Sequence, residues 1–188
     1  SFRESMRELK FHEKKLLKKV DFLSWKKEQN VRELKVLRRY HIQDREDYIK
    51  YNKLAGHITK LAAKLKLLPA DDSVRIETTD KLLSKVHQMG LITVKKSLTQ
   101  CENLPASAFC RRRLPVILTK VKMAQTMKEA VTFVEQGHVR VGPEVVTDPA
   151  FHVTRNMEDF VTWVNTSKIK GKLMKYQDKL DDYDMLQA

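Results

Sequence analysis

Between Phe109 and Val153 the chain marks its own turns closely enough to leave few folds open. A proline costs nothing in the first turn of a helix, where its missing N–H would go unpaired anyway. Leu114-Pro115 therefore predicts a helix running through Val116, Leu118, Thr119 and Val121 to about Met123. Thr126 is placed to cap a second helix. Its apolar positions are Met127, Ala130, Val131, Phe133 and Val134, and Gly137 ends it. His138 to Val141 then reads as a short strand, and Gly142-Pro143 as a turn. Val145-Val146 returns the chain, Asp148-Pro149 breaks it, and residues 160–164 close the sheet. Helix, helix, small antiparallel sheet is an α+β pattern.

The region before it predicts helices. Residues 1–68 contain no proline and one glycine, Gly56. Leu9, His12, Leu16, Lys19, Val20 and Leu23 step at helix spacing, and Val31, Leu34, Leu37 and Tyr40 do so again. Asp44 is placed to cap a third helix reaching Leu68, just before Pro69. Residues 69–74 form a polar break. Thr79 or Asp80 caps a helix ending near Met89, with Gly90 as its C-terminal glycine, and Ser97 caps another through Asn103. Three parts are expected: a basic helical region over 1–104, a compact module over 105–165, and an extension over 166–188.

Charge narrows the function. The 188 residues carry a formal net charge of +13, and residues 1–66 alone hold 19 Lys/Arg against 9 Asp/Glu. Such an excess points to an anionic partner, nucleic acid first. Cys101 and Cys110 stand outside any CxxC or Cys/His cluster, so no metal or other cofactor is expected, although a disulfide between them is open on spacing alone. A thiol beside three arginines is a candidate for a lowered pKa, or else a buried structural group. No run of 18 apolar residues and no secretory core is present, which predicts a protein without membrane partner, inside the cell. The carboxylates Asp71-Asp72 and Asp181-Asp182-Tyr183-Asp184 lack basic or metal-binding company and read as solvated. No phosphate-cradling glycine loop, nucleophile or paired base is evident, so neither an enzyme nor a small-molecule substrate is expected.

Three motifs within 109–165 resemble the S-four RNA-binding domain: Arg112-Arg113-Leu114 at the opening, residues 126–130 at the second helix, and Gly137-His138-Val139-Arg140-Val141 at the first strand. Longer strings resemble one branch, the S-four-domain proteins of the U-three small nucleolar ribonucleoprotein. They are residues 9–22, 36–40, 45–48, 146–151 and 156–164. The pattern departs from the domain at Met127, where arginine is usual, at Pro115, and at the Gly142-Pro143 turn. Lys128 stands beside Met127 as a substitute phosphate contact.

The resemblance implies an RNA-binding, non-catalytic factor of the nucleolus, within the small-subunit processome. It implies U-three small nucleolar RNA and precursor ribosomal RNA as partners, which it helps to pair. The acidic scaffold called M-phase phosphoprotein ten and other processome proteins are implied too. The alternative is a structural small-subunit ribosomal protein that binds rRNA directly. An RNA-modifying enzyme and a helical protein–protein adaptor are more remote readings.

The candidate contacts follow from the chemistry of each residue. Arg111, Arg112 and Arg113 offer planar forks that match phosphate oxygens, unless the triplet only solubilises a turn. Lys120, Lys122 and Lys128 extend that patch, helix N–H groups at Thr126 add partial positive charge, and His138 and Arg140 lie at its rim. His138 has a plainer alternative, packing or capping at the strand start. Lys14, Lys15 and Lys18 on the first helix, with Arg38 and Arg39 at the end of the second, are further candidates.

Overall fold

The computed structural model describes residues 7–19 and 27–177. The chain divides into two compact units, Ser1–Lys35 and Val36–Ala188. In the first, α1 (Phe11–Lys19) opens on a carboxylate: Glu13 accepts from the Lys10 N–H and pairs with Arg7 at 2.7 Å. The expected positions Val20, Leu23 and Trp25 lie outside the described residues, as does the Asp181–Asp184 cluster. α2 (Lys27–Arg39) runs across the division.

The second unit holds two apolar cores. α3 (Arg45–Leu67) and α4 (Ser73–Gln88) pack together, and α5 (Thr99–Glu102) and α6 (Ala106–Cys110) pack against α3. Ala55, Ala62, Leu83, Val86, Leu91, Ile92, Cys101, Leu104 and Phe109 are buried between them. Small residues at Ala55 and Ala62, two turns apart, are what let the shorter helices approach α3 closely. The other core lies under α7 (Leu114–Lys120) and α8 (Met127–Glu135). It joins Leu114, Ile117, Leu118, Ala130 and Val134 to Val139, Val153 and Val161 from the sheet side.

That sheet comprises β1 (Val139–Val141), β2 (Glu144–Val145) and β3 (Val161–Trp163), in the order β2-β1-β3 and antiparallel throughout. Gly142, at φ +62°, opens the two-residue turn between β1 and β2, a backbone state glycine enters without strain. Two further helices complete the unit, α9 (Arg155–Glu158) and α10 (Lys168–Tyr176). The helices-plus-sheet expectation holds, including Pro115 in the first turn of α7 and Thr126 at the cap of α8.

Two helix starts differ from expectation. α4 begins at Ser73, because the Asp72 carboxylate accepts from the Val74 N–H at 2.9 Å, and Thr79 and Asp80 fall inside the helix. α5 begins at Thr99 with Leu98 at the cap position, so Ser97 lies one residue outside.

Helix ends follow one device four times over. After α2, α4, α7 and α8, a left-handed residue donates to the carbonyl three back, and the next residue donates to the carbonyl five back. Glycine holds the left-handed position at Gly90 and Gly137; His41 (φ 47°) and Lys122 (φ 63°) hold it at the other two. Histidine enters that region more readily than most residues. Lysine has no such preference.

Candidate nucleic-acid interface

α6 ends on Cys110, and the next three residues are the arginine triplet. The three side chains part company. Arg111 is exposed, whereas Arg112 and Arg113 retain 8% and 4% of their surface. Arg112 donates through Nε to the Val153 carbonyl at 2.9 Å and through an amino group to Glu158 at 2.8 Å. Arg113 donates to Asp47 at 2.9 Å and to the Tyr51 hydroxyl at 3.2 Å. The Tyr51 ring stacks on Phe109, centroids 5.8 Å apart. The expectation that the triplet faces RNA as a set is therefore corrected. Arg112 and Arg113 are held inside the fold: a buried guanidinium must be paired, and each is paired to a carboxylate on another element, with Arg112 Nη2 left buried and without a hydrogen bond.

Their role is to join the two cores. Segment 112–114 lies beside 151–153, with the Leu114 N–H donating to Phe151 and the Val153 N–H donating to Arg112. The same segment reaches the end of α4, whose last carbonyls have no partner within the helix. His152 Nε2 lies 3.0 Å from the Met89 oxygen. Arg155 donates to His87 at 2.9 Å and to Ile92 at 2.6 Å. Burial holds His152 below its ordinary pKa, which suits a neutral ring donating to that carbonyl. Burial likewise pushes the Cys110 thiol up to about 11, and both Cys101 and Cys110 are free and buried. The disulfide left open by spacing is not formed, and Cys110 is no reactive thiolate.

On the α7–α8 side the cations remain at the surface. Lys120, Lys122 and Lys128 are exposed, but Lys120 is bonded to Glu158. Glu158 thus bridges Arg112 inside and Lys120 outside. The Lys120 ammonium, then Arg112, hold its carboxyl below the usual glutamate range. A depressed folded pKa stabilises fully above the unfolded value and is lost as pH falls through the folded one. Wild type is accordingly expected to lose stability below about pH 4.3 more steeply than Glu158→Gln, as read by urea midpoints at a series of pH values. Parallel midpoint curves would remove Glu158 from that role.

The remaining candidates sort as follows. Thr126 spends its side-chain oxygen as an acceptor for the Glu129 N–H, while Glu129 accepts from the Thr126 N–H, a reciprocal cap. Any phosphate contact at Thr126 falls to other atoms. His138 Nδ1 is 2.9 Å from the Ser167 hydroxyl, and its ring meets Phe133 edge-on, the packing and capping role. Arg140 donates across the sheet to Thr162 at 3.1 Å. Arg38 and Arg39 are exposed at the end of α2, with Arg39 over the Tyr40 ring. Lys14, Lys15 and Lys18 are exposed on α1, in the first unit. The structure brings Lys120 and Arg112 onto one carboxylate. Arg111, Lys122 and Lys128 stay at the surface, and no ion pair forms at any of the three among the described residues.

The residues that sequence reasoning missed are the partners: Asp47, Glu158, Arg155 and Gly90. Asp47 and Glu158 stand 66 and 46 positions from the arginines they bind, so no local pattern announces them. Gly90 was expected as a helix terminator only.

Comparison with known proteins places this geometry. The Ribosomal protein S4/S9 N-terminal domain family matches residues 8–111, and the S4 domain family matches residues 112–159. The chain is 56% identical over 180 residues to the U3 small nucleolar ribonucleoprotein protein IMP3 of Saccharomyces cerevisiae, covering 95% of this chain and 98% of that protein. It is 55% identical over 181 residues to the Homo sapiens protein of the same name, covering 96% and 98%. The small ribosomal subunit protein uS4 of Hyperthermus butylicus is 29% identical over 153 residues, 81% of this chain and 86% of that protein.

Proposed function

This chain belongs to the S4-domain family of the U3 small nucleolar ribonucleoprotein protein IMP3, and from that premise we propose that it is a non-catalytic, RNA-binding factor of ribosome biogenesis. In this reading it acts in the nucleolus and promotes pairing of U3 small nucleolar RNA with precursor ribosomal RNA. It works beside M-phase phosphoprotein ten and other processome proteins. Likeness over nearly the whole of both chains at 55–56% carries the reading. The ribosomal-protein alternative rests on 29%.

Pairing needs no chemistry from the protein. A chain that binds the hybrid better than the separate strands shifts the equilibrium by that difference alone. Its cations also replace the counterions that two approaching phosphate backbones would otherwise hold. With Arg112 and Arg113 inside the fold, the module's RNA-facing set becomes Arg111, Lys122 and Lys128, with Lys120 shared with Glu158.

Lys122 supports this assignment by being in the wrong place for stability. It occupies the left-handed position that glycine fills after α4 and α8. A side chain there costs about 1–2 kcal/mol, and such strain concentrates where function needs it. Lys122→Gly is expected to keep or raise stability, by up to about 1 kcal/mol, while weakening RNA binding. Hybridisation of a U3 fragment to its precursor target, followed across a salt series, tests the whole reading. Wild type is expected to accelerate or tighten pairing, with the effect falling steeply as salt rises. Arg111→Gln/Lys122→Gln/Lys128→Gln is expected to flatten the log–log salt slope for single-stranded RNA by about 2. Intact RNA binding without any effect on pairing would favour a static ribosomal component instead. Absence of RNA binding would favour an adaptor.

A further inference from the structure

A second cluster of cations stands on the other core. Lys66 in the last turn of α3, Arg75 in the first turn of α4 and Lys96 in the link to α5 line one open cleft of about 320 Å³. Ser97, Thr99, Thr79, Leu83, Leu98 and Glu102 complete it. Three features distinguish it from a merely solvated basic surface.

The first is charge. Three cations face one carboxylate, Glu102, and that carboxylate is already bonded to Lys66 at 3.2 Å. Arg75 spends one amino group on the Leu68 carbonyl, 2.6 Å away, which fixes the guanidinium in place and leaves its other donors. No ion pair forms at Lys96 among the described residues.

The second is an orphan. Thr79 is one of the lining residues, and its hydroxyl oxygen is buried and makes no hydrogen bond. Its neighbour Thr78, in the same helix, back-bonds to the Val74 carbonyl in the ordinary way. A buried hydroxyl without a partner costs about 1–3 kcal/mol, a cost that rotation of the side chain toward an acceptor in the cleft would remove. The third feature is the hydroxyl company: Ser97 and Thr99 add two more donors to the same lining. Fixed guanidinium, ammonium groups and hydroxyls are the donor set of a tetrahedral oxyanion.

We propose that this cleft is a second RNA-phosphate site, holding a backbone phosphodiester at a point separate from the cations of α7 and α8. The inference rests on the RNA-binding reading above. It gives the chain a hold on each of its two cores: Lys66, Arg75 and Lys96 over the Ala62–Leu83 core, and Lys122 and Lys128 over the Leu118–Val134 core. Because the two cores are joined through Arg112 and Arg113, the two holds keep a fixed spacing. A factor that aligns RNA segments needs such a spacing more than it needs affinity at either point.

Lys96→Glu is the variant of choice, since Lys96 makes no ion pair or side-chain hydrogen bond among the described residues. Lys66→Gln/Lys96→Gln is the second variant, and both are checked for unchanged unfolding midpoints. Full-length protein is titrated separately with the U3 fragment and the precursor fragment over a salt series. The expected result is a loss of about tenfold in affinity for at least one RNA. Its salt slope is expected to flatten by about 1 for the single substitution. The loss should add to that of the Arg111→Gln/Lys122→Gln/Lys128→Gln variant, as independent contacts do. Unchanged affinities and slopes in both cleft variants, with the Lys122 variant still weakened, overturn the cleft and leave the proposed function standing. Wild type without RNA affinity overturns both. Titration with inorganic phosphate alone separates the remaining source: a response of the cleft to phosphate ion with none to RNA makes it a free-anion site and rejects the proposal.

Discussion

Arg113→Ala is expected to lower the unfolding free energy by about 3 kcal/mol. The substitution strips Asp47 of its closer ion pair, leaving Lys50 at 3.9 Å, and Tyr51 of a donor, and both groups stay in place half-buried. Removing one member of a buried pair is worse than removing both, because the survivor keeps its desolvation cost. Arg113→Met with Asp47→Leu is therefore expected to recover most of the loss. A domain of this size is stable by about 5–15 kcal/mol, so the single variant forfeits about a fifth to three-fifths of its stability. Urea denaturation of wild type, single and double variants measures the effect. If Arg113→Ala kept its midpoint and lost RNA affinity instead, Arg113 would return to the surface set from which its burial removes it.

Gly90→Ala is expected to cost a similar amount, about 3–4 kcal/mol, by a different route. Gly90 sits at φ +77°, where a side chain costs about 1–2 kcal/mol. A Cβ there would also stand 2.7 Å from Arg112 Nε and 2.9 Å from Cζ. That end of Arg112 cannot swing away, because Nε is bonded to Val153 and the amino group to Glu158. Displacing it breaks charge-assisted bonds worth about 1.5–3 kcal/mol each. Gly142→Ala is the control. Gly142 has φ +62° but nothing within 4 Å of the missing Cβ, so only the backbone cost of about 1–2 kcal/mol applies. Equal losses at the two glycines would mean that Arg112 moves freely, against the tie drawn here.

The punctuation of the fold was readable from residue type, and the direction of its arginines was not. Gly90, Gly137, Pro115 and Thr126 each sit where their backbone chemistry demands, because helix ends are decided within a few residues. Lys122 ends α7 in the same geometry, yet no composition rule would nominate a lysine. The helix starting at Ser73 hid behind two equally good caps at Thr79 and Asp80; the Asp72 carboxylate, accepting from the Val74 N–H, starts it about two turns earlier. Three arginines in a row read as a surface patch since nothing nearby neutralises them. Which of them turn inward is decided by Asp47 and Glu158, far away in the chain. The two candidates that proved to be internal were therefore wrong for a tertiary reason, while Arg111, Lys122 and Lys128 kept the exposure that a charged run predicts.

The seam between the two matching sequence families falls between residues 111 and 112, immediately ahead of Arg112 and Arg113. The border between the two families thus runs through the joint between the two cores. Anyone excising the S4 portion at that border would leave Arg113 without Asp47 and Tyr51, while Arg112 keeps Val153 and Glu158, and would strip the caps that His152 and Arg155 place on α4 from what remains. Both fragments are expected to be less stable than the parent, and the freed Arg113 adds a cation to the surface that the intact fold keeps buried. Apparent affinity in such a fragment would be an artefact of the scissors, so the binding surface of this protein is best mapped on the uncut chain.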